Sequence, residues 1–193
     1  MTKRIILFAS GNGSNVEQIC HFFEQDKLVS IAAVYSNNPK AGVIQRMEPF
    51  GINVKVFDKK SFIDGTLLGE IISLNPDLII LAGFLWKIGS EWTASFPQKI
   101  INIHPALLPS YGGKGMYGMN VHKAVKENKA SKTGITIHYV NNEYDQGGII
   151  FQEEVSLDQE DSPEEIAGKV HKLEHLYFAP VISKLLRKSE NEG

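Results

Sequence analysis

Arg4-Ile5-Ile6-Leu7-Phe8-Ala9-Ser10-Gly11-Asn12-Gly13-Ser14-Asn15 is the stretch from which the fold is read. Its first half is an unbroken apolar run. Such a run suits a strand buried on both faces, as in a parallel sheet. Two glycines follow, then a helical segment to about residue 25. Strand, glycine turn and helix start together make a phosphate site, because glycines let the backbone approach an anion and free N–H groups point at it. Ser14 and Asn15 add side-chain donors or cap the helix. The spacing matches neither the dinucleotide fingerprint nor a Walker A loop, and a plain tight turn fits the same residues.

The pattern repeats downstream. Strands are predicted at residues 29–35, 54–57 and 78–82, with helices at 40–50 and 61–74 between them. Alternating β and α units specify a doubly wound α/β fold with a mostly parallel, Rossmann-like sheet. Right-handed crossovers then bring the strand-to-helix loops to one edge. Residues 10–15, the Gly83-Phe84-Leu85-Trp86-Lys87-Ile88 loop and the segment after His104 all belong there. Phe84 and Trp86 suit either stacking on a planar ring or plugging the core.

Ile100-Ile101-Asn102-Ile103-His104-Pro105-Ala106-Leu107-Leu108-Pro109 ends a further strand, which Pro105 stops. Alternation along the strand puts Asn102 and His104 on one side, at the carboxyl end where open α/β sheets bind ligands. An amide that donates to a carbonyl oxygen, beside an imidazole that can carry charge or move a proton, suits an oxyanion. A capping Asn and a hydrogen-bonded loop His is the plainer reading of the pair.

Four glycines between residues 112 and 118 predict a loop that exposes its backbone, with Lys114 in the middle. A helix is expected at 120–128 and a strand at 133–140, with His138 on its more polar face. The loop Asn141-Asn142-Glu143-Tyr144-Asp145-Gln146-Gly147-Gly148 leads into Ile149-Ile150-Phe151, an antiparallel hairpin at the sheet edge. Asp145 either satisfies its own turn or faces His104; the residues alone leave both open. Ser162-Pro163-Glu164-Glu165 starts a long C-terminal helix. Ile166, Val170, Leu173 and Tyr177 form its apolar stripe. Glu174 sits on the margin of that stripe, placed for an amine ligand or an edge salt bridge.

Composition sets limits. The 193 residues are 42% hydrophobic and 22% charged, which suits one soluble globular domain. A net charge of −2 argues against a protein that coats nucleic acid. Cys20, the only cysteine, allows no disulfide framework. The N-terminus enters a strand without a signal-peptide core, and no apolar run approaches the roughly 20 residues of a membrane span. A cytoplasmic protein is expected, a monomer or weak homodimer with small-molecule partners, no nucleic acid and no membrane. The six histidines form no ligand-spaced cluster, so no metal is expected. Residues 189–193 read as a frayed tail.

These motifs, in this order, resemble the formyltransferase family, and the glycine turn and short length resemble its phosphoribosylglycinamide-specific branch in purine biosynthesis. The resemblance covers essentially the whole chain. It implies one domain over residues 1–188, with the phosphate and acceptor half at about 1–100 and the catalytic and folate half at about 101–188. It implies 10-formyltetrahydrofolate as formyl donor and a primary amine as acceptor. It implies Asn102, His104 and Asp145 as the catalytic set. Gly13, Ser14 and Asn15 would take the phosphate; His171, Lys172, Leu173 and Glu174 would meet the ribosylglycinamide. Lys60, Leu85, Trp86, Lys87, Ile88 and Asn102 would contact the folate, with Asn141, Asn142, Glu143, Tyr144 and Asp145. Trp86 and Lys60 stand where many relatives have arginine.

The expected chemistry is attack of a neutral amine on the formyl carbon. Asn102 and protonated His104 would hold the oxyanion, and Asp145 would raise the proton affinity of His104. Two rivals remain at this point. A formyltetrahydrofolate hydrolase would turn the same trio on water. A non-catalytic phosphate- or nucleotide-binding domain would rest on the glycine turn alone. A tRNA formyltransferase would need a basic C-terminal domain that these residues do not supply.

Overall fold

The computed structural model describes residues 2–188. The apolar run forms strand β1 (Lys3–Phe8), in which Ile5, Ile6, Leu7 and Phe8 have no exposed surface. Next come α1 (Ser14–Phe23), β2 (Val29–Ser36), α2 (Gly42–Arg46), β3 (Val54–Val56), α3 (Lys59–Ile63) and α4 (Thr66–Leu74). The chain continues through β4 (Leu78–Leu81), α5 (Ser90–Ser95), β5 (Ile100–His104), α6 (Met119–Glu127), β6 (Lys132–Tyr139), β7 (Ile149–Ser156) and α7 (Pro163–Lys188). The strands make one sheet in the order β3-β2-β1-β4-β5-β6-β7. The first five are parallel, and β6 and β7 are antiparallel.

Helices cover both faces. On one, Val16 and Ile19 of α1 and Phe178 and Ile182 of α7 pack against Ile5, Leu7, Ile101 and Ile103. On the other, Phe62, Leu68, Ile71 and Trp92 pack against Ile6, Phe8 and Ile79. The sheet order reverses direction at β1, whose neighbours are β2 and β4. The crevice at that reversal is where such sheets bind ligands.

Three expectations change in detail. The helix predicted over 61–74 is split, because Gly65 adopts a left-handed φ of 85° between α3 and α4. The helix predicted over 40–50 ends at Arg46 and gives way to a tight turn at Glu48–Phe50, where Pro49 has no N–H to continue an α-helical ladder. Helix α5 was not anticipated; it buries Trp92. The capping box at Ser162 forms as read, with Ser162 N–H donating to Glu165 and Glu165 N–H donating to the Ser162 hydroxyl. Cys20 is buried on α1, and burial pushes its thiol up to about 12. The tail at 189–193 lies outside the described residues. No helix among the described residues is long and apolar enough to cross a membrane.

Candidate active site

A cleft of about 690 Å³ opens at the carboxyl ends of β1, β4 and β5. One end is the glycine turn. Gly13 has φ +81°, and a Cβ there would lie 2.5 Å from the Val43 side chain. Only glycine lets the chain pass so close to α2. No side chain caps α1, so its first N–H groups are open to an anion. Arg46 Nε braces the turn from outside, donating to the Asn12 backbone oxygen at 3.0 Å and to its side-chain oxygen at 2.9 Å.

Helix α7 crosses this end and supplies Glu174, whose side chain is 12% exposed. Glu174 accepts from Asn15 Nδ2 at 3.0 Å, and its Oε2 lies 3.0 Å from His171 Nδ1. The other ring nitrogen of His171 lies 3.1 Å from the Ser14 hydroxyl. The hydrogen bond to Glu174 raises the proton affinity of His171 above that of an ordinary histidine. Glycine turn and helix are thus tied by two contacts, each between residues nominated separately from the sequence.

At the centre, Asn102 and His104 lie on the same side of β5, while Ile101 and Ile103 enter the core on the other. Asp145 reaches them from the β6–β7 hairpin. It adopts a left-handed φ of 55°, which aspartate tolerates in turns. Its Oδ2 accepts from the Gly113 N–H at 2.9 Å and stands 3.7 Å from His104 Nδ1. The reading of Asp145 as a residue that serves only its own turn therefore falls away. His104 Nε2 donates to the Tyr111 carbonyl at 2.8 Å.

The charge state of His104 departs from expectation. Burial lowers its proton affinity and outweighs the opposing pull of Asp145 and the Tyr111 carbonyl. Asp145 acts in the predicted direction, but the net shift is downward. In this structure His104 is a neutral donor near pH 7.

His138 is the residue that sequence reading missed. Its Nε2 is 3.2 Å from Asn102 Nδ2 and 3.7 Å from Asp145 Oδ1. The antiparallel register sets His138 opposite Asn102. Its place on the polar face of the strand was visible; the register was not. His122 on α6 also lines the cleft, with a buried Nδ1 that has no hydrogen-bond partner among the described residues.

The far end is apolar and aromatic. Leu85, Trp86, Lys87 and Ile88 line it, together with Asn141, Glu143 and Tyr144. Half-buried Trp86 packs edge-on against Phe57 and Phe62. Lys87 Nζ stands 5.3 Å from the centre of the Tyr144 ring and 3.7 Å from Glu143. Flat apolar walls with few charges suit a planar heterocycle. Four nominated residues do not line the cleft. Leu173 packs against the core, as its place in the stripe requires. Lys172 and Lys60 are exposed, and Asn142 accepts from the Thr93 hydroxyl on the rim.

The family model described as "Formyl transferase" matches residues 3–182. The chain belongs to this family. The phosphoribosylglycinamide formyltransferase of Bacillus subtilis (strain 168) is 36% identical over 190 residues, covering 95% of each chain. The chloroplastic phosphoribosylglycinamide formyltransferase of Arabidopsis thaliana is 39% identical over 191 residues, which is 95% of this chain and 65% of that protein. This chain therefore spans slightly less than two thirds of the plant relative. Among solved structures, the phosphoribosylglycinamide formyltransferase from Bacillus halodurans superposes with a TM-score of 0.88 at 31% identity, covering 98% of both chains.

Proposed function

We propose that this formyl transferase moves a formyl group from 10-formyltetrahydrofolate to the primary amine of phosphoribosylglycinamide. The observation that carries the reading is the single cleft joining an uncapped glycine turn, an Asn-His-Asp trio built around buried His104 and an aromatic wall. Relatives bearing that activity in their names support it.

Each group has a role set by its chemistry. The glycine turn and Ser14 hold the acceptor's phosphate, and His171 adds positive charge there when protonated. Glu174 orients the amine, which turns binding into proximity. The amine nitrogen attacks the formyl carbon, and negative charge builds on the formyl oxygen. Asn102 N–H and His104 N–H stabilise it. An oxyanion accepts more strongly than the Tyr111 carbonyl that holds the His104 proton otherwise. Asp145 takes up the amine proton and returns it to the folate nitrogen as that nitrogen's bond to the formyl carbon breaks. Trp86 and Leu85 hold the folate ring system.

Mixing the protein with formyl-folate, with and without the acceptor, tests this. Tetrahydrofolate release that depends on acceptor is expected. Release without acceptor would mean a hydrolase, and no release would mean a binding module.

A further inference from the structure

The side chain of Asn102 has two different ends, and its proposed work needs the N–H end. Something must keep the amide from turning over. Burial does not do this, since Asn102 is only half-buried at the cleft wall. The neighbour across the sheet does. His138 Nδ1 lies 2.8 Å from the Tyr139 carbonyl oxygen. A carbonyl only accepts, so Nδ1 carries the ring hydrogen. In the neutral ring Nε2 is then a bare lone pair. That lone pair lies 3.2 Å from Asn102 Nδ2. A lone pair bonds an N–H and repels an amide oxygen, so the carboxamide has one allowed orientation.

We propose that His138 is a positioning residue whose Nε2 lone pair locks the Asn102 carboxamide, leaving the second Nδ2 hydrogen for the formyl oxygen. The inference rests on the transfer reading given above, in which Asn102 is an oxyanion donor. If Nε2 carried a proton it would attract the amide oxygen instead. The amide would turn over, and a negative end would face the developing charge.

The surroundings keep the ring in the required form. Asp145 Oδ1, 3.7 Å from Nε2, and the Tyr139 carbonyl both favour a second proton, while neighbouring His104 opposes it. Burial, with the side chain only 2% exposed, outweighs the favouring groups and holds the ring neutral. The Nδ1 bond to the backbone selects the tautomer.

The test compares four proteins: His138→Ala, His138→Gln, Asn102→Ala and the double variant Asn102→Ala/His138→Ala. A Gln carbonyl can accept near the place of Nε2, so His138→Gln should retain most turnover. His138→Ala should lose about 10- to 100-fold in kcat, part of the effect of losing an oxyanion donor, with little change in KM. The double variant should turn over within roughly twofold of Asn102→Ala alone, because the histidine acts only through the amide. Ring ¹⁵N shifts of wild-type His138 should show hydrogen on Nδ1 and none on Nε2 at pH 7.5. A merely structural histidine would give losses that multiply with Asn102→Ala, and that result overturns the proposal. So does a hydrogen on Nε2. If Asn102→Ala alone keeps full transfer, the assigned reaction geometry fails as well. If Asn102→Ala is inactive and His138→Ala is fully active, the proposal fails and the transfer reading stands.

Discussion

Asp145 faces His104 across 3.7 Å, Oδ2 to Nδ1, with the two side chains 12% and 4% exposed. That is too long for a direct hydrogen bond, so the carboxylate acts on the ring through its field. Burial already lowers the proton affinity of His104, and Asp145 is the leading opposing influence.

Asp145→Asn keeps the shape and removes the charge. Turnover should fall by about 10²-fold or more, as for loss of a general base. An NMR titration should find the His104 proton affinity lower still in the variant. An unchanged titration would mean that the pair is not coupled.

His171 gives a pH dependence of the opposite kind. Glu174 raises its proton affinity, so the charged ring persists above the ordinary histidine range. The phosphate end gains positive charge while His171 is protonated and loses it as pH climbs through the raised value. KM for the acceptor should therefore increase on the alkaline side of pH 6.5, while KM for the folate stays level. His171→Gln should flatten that rise. A rise that survives the substitution would point to another group.

Gly13→Ala should damage the phosphate end twice over. The left-handed backbone disfavours an L side chain by about 1 kcal/mol. The new methyl also meets Val43 at 2.5 Å. Acceptor KM should rise at least tenfold with folate KM little changed. Adding Val43→Ala should recover part of that loss by removing the clash but not the strained φ. Equal damage to both ligands would show a general collapse of the fold instead.

Stability should decline as pH falls below the ordinary histidine range. His104, His122 and His138 all have lowered proton affinities, each chiefly through burial. The unfolded chain then binds more protons than the folded one in the window from about pH 6.5 downward, and stability must drop there. Each pH unit of depression corresponds to about 1.4 kcal/mol once the group is charged. The melting temperature should fall between pH 6.5 and 5, and His122→Asn should blunt the fall. A flat profile would show that these rings are not neutral in the fold.

Much of the architecture was legible because parallel strands announce themselves as unbroken apolar runs, such as Ile5 to Phe8 and Leu78 to Leu81. Short elements were not. Helix α5 has six residues, too few to show a period, and its anchor Trp92 reads equally well as a loop aromatic. Gly65 was indistinguishable from a glycine tolerated inside a helix until its φ was known. Asn102 and His104 were readable as a same-side pair because alternation along a strand is local. Their relations to Asp145 and His138 depend on how the antiparallel hairpin docks, which no local pattern encodes. The lowered proton affinity of His104 was hidden for a similar reason: charge of a partner can be guessed from its letter, whereas burial is a property of the whole fold. Leu173 illustrates the reverse. Its apolar stripe already placed it in the core, and the stripe prevailed over its neighbourhood to Glu174.

The hydrogen bond from Asn15 to Glu174 joins residues 159 positions apart. A nascent chain emerging from the ribosome therefore has no finished pocket until residue 174 has been made. A half-made chain, carrying the glycine turn but not α7, lacks Glu174, the carboxylate proposed to orient the amine. Once synthesis is complete, the ligand favours the fully folded form by mass action.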